Sequence, residues 1–200
     1  MSWIKVISFE EATGRLQRLY KQVTGPNNNV DNIMMVHGLR PHTMTGHMSL
    51  YKNVLHNSNN TLPKWFLETI GVQVSLLNEC DYCINHHFEG LKRLIDNDEK
   101  SNQIKRNLEK KNSPFTEEKY NLALIYSEKL TLNPTELVGE DIVVLRKAGL
   151  TDGEVLEINQ VAAYFNYANR TVLGLGVSTK GDVIGLSPNN SDDENSWSHQ

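Results

Sequence analysis

Apolar positions recur along this chain at intervals of three and four, the period of helices with one buried face, and nowhere alternate as strands do. Ser8-Phe9-Glu10-Glu11 has the spacing of a capping box and predicts a helix running to about Val23. The polar run Gly25-Pro26-Asn27-Asn28-Asn29 ends it, and a short apolar piece, Ile33 to Val36, follows. Pro41 suits a first helical turn, and Met44, Met48, Tyr51, Val54 and Leu55 carry that helix to about His56. After the turn Asn57-Ser58-Asn59-Asn60, Pro63 opens a mostly apolar helix (Trp65, Phe66, Leu67, Ile70, Val72, Val74, Leu76, Leu77) that reads as largely buried. Asn78 and Asp81 interrupt it, so the next helix starts around Cys80 to Asp81 and runs to about Asp96.

The second half continues the pattern. Residues 96–113 are highly charged, with Ile104 and Leu108 as spaced apolar positions, and predict a solvated helix and loop. Thr116 begins a helix with Leu122, Ile125, Tyr126 and Leu130 as its stripe, ended by Asn133-Pro134. Val138 to Ala148 is a short helix closed by Gly149. Thr151-Asp152-Gly153-Glu154 is a second capping box, with an apolar helix after it to about Leu173. Aligning Glu157 with Glu68 places a capped apolar helix in each half, with Asn169 where Cys80 stands, so two repeated helical halves stay open as a reading. Asn166, Asn169 and Arg170 then fall near a pocket or interface, or on the exposed side of the last turns. The expectation is an all-α protein: a single helical domain over 1–187 with a core of interest at about 40–95. The polar tail 188–200 should be flexible unless a neighbouring subunit holds Trp197.

The chemistry is concentrated in one segment, Cys80-Asp81-Tyr82-Cys83-Ile84-Asn85-His86-His87, which holds both cysteines of the chain. Residues advance by ~100° in a helix, so Cys80, Cys83 and His87 share a face while His86 points away toward a helix surface or interface. Thiols three positions apart have Cα atoms about 5 Å apart, inside the ~4.4–6.8 Å that a disulfide tolerates. A helix N-terminus and a nearby imidazole both favour the reactive thiolate. Glu68 is the only acid between Pro63 and Asn78, and is either paired, raised in pKa, or set on that helix's one wet stripe. Zinc wants four ligands and only three are aligned here; a static disulfide closing so short a loop gains little stability. His37, His42, His47 and His56 do not form a ligand set either: His42 and His47 lie about 140° apart on a helix.

Glu68, eleven residues, Cys80, two residues, Cys83, three residues and His87 resemble the signature of the AhpD-type alkylhydroperoxidases in the carboxymuconolactone decarboxylase-like superfamily, closest to its peroxidase-related branch. The resemblance is strongest over about residues 40–95 and extends more loosely through 159–167 to Gly181. It implies an AhpD-like multi-helix bundle, assembled as a homo-oligomer (dimer, trimer or hexamer), that reduces alkyl hydroperoxides or hydrogen peroxide. It implies Cys83 as the peroxidatic thiol, Cys80 as the resolving thiol, Glu68 and His87 as a proton relay, and a lipoyl- or thioredoxin-like dithiol as reductant. Tyr82 stands where the family has histidine and carries protons poorly at neutral pH. Tyr82 and His86 are therefore supporting candidates only. A thiol–disulfide oxidoreductase or a non-enzymatic redox sensor are the other readings; a lactone decarboxylase has no use for paired thiols.

Composition narrows the field further. Two hundred residues at 38% hydrophobic content can bury a full core. A net charge of −4 offers no basic patch for nucleic acid. No run of about 18 apolar residues suggests a membrane span, and Met1-Ser2-Trp3-Ile4-Lys5 lacks a signal pattern. The cytoplasm is the expected compartment, with neither cofactor nor metal required by the thiol chemistry.

Overall fold

The computed structural model describes residues 2–186, so the expectations for the tail 188–200 and Trp197 lie outside the described residues. Those residues form nine α-helices and no strand: α1 Gly14–Val23, α2 Asn32–Met35, α3 Pro41–Tyr51, α4 Lys64–Leu77, α5 Asp81–Ile95, α6 Asp98–Glu109, α7 Glu118–Leu132, α8 Gly139–Lys147 and α9 Asp152–Leu175.

Helix α4 is the axis of the bundle because its sequence is apolar on every side, and such a helix is stable only when surrounded. Residues 66–75 of it are all buried, and α5, α7 and α9 pack around it. At Gly71 a Cβ would overlap the ring of Phe165 in α9. Only glycine leaves room for that aromatic, which in turn meets the His87 ring edge-on at 4.5 Å. The main core cluster runs from Ala12 in the N-terminal segment to Ala168 in α9, and a second, smaller cluster gathers Cys80 and Cys83 with Val36, Tyr82, Val172 and Val177.

Three details differ from the sequence reading. The Ser8 box does form, with Glu11 N–H donating to Ser8 Oγ and Ser8 N–H to Glu11 Oε2, yet it closes only a turn and α1 begins at Gly14. Tyr20 donates to the Ile7 carbonyl at 2.8 Å and stacks on Phe9, which holds the segment on the core; Thr13 is then extended and Gly14 has φ +55°. The buried stripe of α7 is Tyr120, Ala123, Leu124, Tyr126, Ser127 and Thr131, while Ile125 is 60% exposed. Ala123, Ser127 and Thr131 share that face with the larger side chains, so ranking positions by hydrophobicity rotates it by about one position. Finally, the stretch expected to be one helix to about His56 is α-helical only to Tyr51 and continues as a π-helical turn, Lys52–His56, a distortion often found at functional sites.

The turn from α4 to α5 positions the thiols. Glu79 N–H bonds to Leu76 O and Cys80 N–H to Ser75 O, a Schellman closure of α4, with Glu79 itself at φ +54°. A non-glycine residue in this left-handed region is strained by about 1–2 kcal/mol. Cys80 then serves immediately as N-cap of α5, so the two helices meet without a loop.

Candidate active site

Cys80 and Cys83 are both reduced and both buried, at 0% and 2% exposure. As N-cap, Cys80 has its sulfur against the backbone N–H groups of Cys83 and Tyr82, and the Cys83 thiol donates to it. These donors, the Cys83 thiol first, hold the Cys80 pKa below its ordinary value despite burial. The hydrogen bond to Cys80, burial and the Cys80 charge push Cys83 well above its ordinary value, with Asn169 acting in the opposite direction. The first proton therefore leaves the couple at Cys80, at the positive end of α5.

Cys83, not Cys80, opens onto a cavity of about 50 Å³ whose other walls include Asp31, Met34, Met48, Tyr51 and His87. That is room for a few water-sized groups. Behind His87 stands Glu68, 1% exposed, whose Oε2 lies 2.7 Å from His87 Nδ1. Glu68 is thus paired within the core, and the wet-stripe alternative is excluded. This bond fixes the imidazole tautomer and leaves Nε2 as its other proton-bearing atom. His56, delivered by the π-helical turn, lies 3.9 Å from the opposite oxygen, Glu68 Oε1. Tyr51 packs on both rings, at 4.7 Å from His56 and 6.4 Å from His87.

The opposite wall was not anticipated. Tyr82 turns its hydroxyl away to donate to Asp182 Oδ2 at 2.6 Å and accept from Ile33 N–H at 3.2 Å. Burial holds its phenol well above the usual range. His86 stacks on the Tyr82 ring at 4.6 Å, its Nε2 3.3 Å from Asp182 Oδ2, and it lines the cavity. The expected placement of His86 on an outer surface is therefore corrected: α5 is covered on that side by α2 and by the segment after α9. Asp182 Oδ1 accepts the Asn32 N–H at 3.0 Å, tying that segment to α2. Asp31, the residue before α2, carries a carboxyl pushed up to about 6, by burial first and then Asp182, with His86 and His87 opposing.

Two further walls complete the enclosure. His47 reaches the cavity from α3, its Nε2 3.3 Å from Tyr164 Oη, and burial lowers its pKa to about 3, with His37 and His87 adding. His37 packs on it at 5.2 Å, and His42 does not join them at the cavity. From α9, Asn169 is fully buried, donates to Ser75 Oγ at 3.1 Å and accepts from Asn78 at 2.9 Å, besides touching Cys83. Asn166 bonds Asn78, Thr131 and the exposed Arg170, so only Asn169 of that trio reaches the thiols. Glu157, aligned with Glu68 in the repeat reading, caps the chain at Thr61 and Leu62 instead of entering any site. Asp31 had one readable signal, an N-cap residue before an apolar run; Asp182 had none.

No protein-family model and no curated protein matches this chain. Solved structures do. The chain is similar to the alkylhydroperoxidase AhpD core structure of an uncharacterized peroxidase-related protein from Ralstonia eutropha JMP134, at TM-score 0.75 and 21% identity over 92% of this chain and 96% of that one. It is similar to an uncharacterized peroxidase-related protein from Silicibacter sp. TM1040, at TM-score 0.68 and 22% identity over 76% and 78%. A third is a cysteine-to-alanine variant of the debrominase Bmp8 in complex with 2,3,4-tribromopyrrole, at TM-score 0.64 and 15% identity over 87% and 91%. The fold of this chain is the all-helical AhpD-like bundle. Among the described residues, no helix is long and apolar enough to cross a membrane.

Proposed function

We propose that the protein is a dithiol peroxidase: Cys83 reduces a hydroperoxide and Cys80 closes the cycle. The observation that carries this reading is the asymmetry of the couple, one sulfur facing the cavity and the other at the N-terminus of α5 beside the Cys83 thiol and the Cys83 and Tyr82 N–H groups. Cys80 as the first thiolate is the local base that takes the Cys83 proton. The Cys83 sulfur then attacks the terminal oxygen of ROOH; the O–O bond breaks, RO⁻ takes a proton by way of His87 and leaves as ROH, and Cys83 becomes a sulfenic acid. Cys80 attacks that sulfur, water leaves, and the disulfide forms. Two electrons pass from the thiols to ROOH, and an external dithiol returns them by exchange. Glu68 does not reach the cavity; it positions His87 through the 2.7 Å contact to Nδ1.

Burial weighs against the competing readings. Sulfurs at 0% and 2% exposure favour a small peroxide over a protein disulfide as the oxidising substrate, and the disulfide once formed must become accessible for an external dithiol to reduce it. The cavity volume suits a peroxide group better than the polyhalogenated ring held by the debrominase neighbour. Homo-oligomeric assembly is part of the proposal, supported by the half-exposed side chains of Ile125, Leu132, Val143 and Val144.

The test is hydroperoxide consumption by purified reduced protein supplied with a lipoyl-type or thioredoxin-like dithiol. Turnover that ceases in Cys83→Ser supports the proposal; an unchanged peroxide concentration beside two intact thiols overturns it. A disulfide that forms once and is not turned over by any dithiol would instead identify a sensor.

A further inference from the structure

We propose that Asp31 is a charge filter on the cavity, admitting uncharged hydroperoxides and other neutral electrophiles to Cys83 and turning away those that carry a carboxylate. The inference deepens the peroxidase reading by naming its substrate class, and it rests on Cys83 being the sulfur that meets substrate.

Among the described residues, Asp31 is the one carboxylate that lines the cavity, and no lysine or arginine lines it. Its charge is poorly neutralised. As the residue before α2, it makes no side-chain capping bond, and among the described residues no hydrogen bond or ion pair reaches its carboxylate. The neighbouring acid, Asp182, is in the opposite condition: Tyr82, the Asn32 N–H and His86 all converge on it. His86 is therefore hydrogen-bonded to Asp182, and His87 to Glu68, so Asp31 receives only their through-space attraction, which burial and Asp182 outweigh. Nor can Asp31 swing aside. Asn32 is clamped by Asp182 on its N–H and by the carbonyls of Ser178 and Lys180 on its side chain, at 2.8 and 3.1 Å. Beside the imidazoles of His47, His86 and His87 the rest of the lining is apolar or phenolic, so a second carboxylate meets no fixed cation there to offset Asp31. With its pKa at about 6, Asp31 is ionised at pH 8, where thiols react.

The experiment compares neutral iodoacetamide with anionic iodoacetate on the reduced protein at pH 8. Any change in thiol acidity affects both reagents alike, so the ratio of their alkylation rates at Cys83 isolates the filter. Expected is a fall in the iodoacetamide preference of about fivefold, the scale of one unit charge at short range in a partly wet site, in Asp31→Asn. Asp31→Ser, which retains a capping oxygen before α2, should lose the preference equally, and Asp31→Glu should keep it. An unchanged ratio in both neutral variants, or equal loss in Asp31→Glu, overturns the proposal. In parallel, kcat/KM is measured for a neutral alkyl hydroperoxide against a carboxylate-bearing one. A preference for the neutral substrate that shrinks in Asp31→Asn supports the filter in turnover, and a preference that does not shrink contradicts it. If the wild type turns over neither hydroperoxide, the peroxidase reading fails while the alkylation ratio still decides the filter.

Discussion

The two walls that flank Cys83 use the same residue types, a carboxylate with a histidine, to opposite ends. On one side Glu68 holds His87 at 2.7 Å across two consecutive helices, and a lone carboxylate aims one imidazole at the cavity. On the other, Asp182 gathers Tyr82, His86 and the Asn32 backbone, so its acid is spent on joining the C-terminal segment to α2 and α5. An acid hydrogen-bonded to a single imidazole, with His56 at 3.9 Å from its other oxygen, can relay a proton; an acid with three donors is a clamp. The difference lies in how many groups the chain brings to each carboxylate.

Substitutions at the two walls should therefore separate rate from stability. The largest effect belongs to the sulfurs: Cys83→Ser should abolish peroxide turnover, whereas Cys80→Ser should leave Cys83 to oxidise beyond the sulfenic state, visible as added oxygen by mass spectrometry. On the relay wall, Glu68→Gln keeps a bond to His87 but removes the charge, and kcat should fall about 100-fold with little change in Tm. On the clamp wall, Asp182→Asn should do the reverse, lowering Tm by roughly 6–9 °C, about 3 kcal/mol for a chain of this size, with a much smaller change in kcat. Equal effects of both changes on both readouts would erase the distinction.

The pH dependence sharpens it. Asp31 has a folded pKa of about 6, above the unfolded value of 3.8, so the folded state retains a proton that the unfolded chain gives up between those values. Its ionisation weakens the fold above pH 6, and Asp31→Asn should raise Tm at pH 8 by a few degrees, on the order of 2 kcal/mol, but not at pH 4. His47 runs the other way. Its pKa falls from 6.5 to about 3, so the unfolded chain takes up a proton that the folded one refuses. Stability should drop by ~1.4 kcal/mol per pH unit below 6.5 on its account, and His47→Gln should flatten that slope in acid denaturation. The smallest effect is expected between the thiols' helices: Glu79→Gly relieves the left-handed backbone and should add about 1 kcal/mol to stability in denaturant titration.

The relay wall was legible in the sequence because its parts are local. Glu68, Cys80, Cys83 and His87 fall on two adjoining helices, and helical spacing alone aligns the thiols with His87. The clamp wall was not, since Tyr82 and Asp182 are 100 positions apart and nothing near Lys180-Gly181-Asp182 marks a turn as anything but a turn. His86 was assigned outward for the same reason: the angle around a helix gives a direction, while the segments that cover it arrive from elsewhere. Fold class and nearly every helix followed from periodicity. The exceptions, the late start of α1 and the rotated face of α7, arose where Tyr20 pinned an upstream segment and where Ala123, Ser127 and Thr131 share the buried side with Tyr120, Leu124 and Tyr126.

One measurement addresses the central claim directly: intact-mass and thiol analysis of the fully reduced protein after one equivalent of a neutral alkyl hydroperoxide. The account predicts loss of the mass of two hydrogen atoms, a Cys80–Cys83 disulfide, and one equivalent of the corresponding alcohol. Unconsumed hydroperoxide with both thiols still titratable would contradict it.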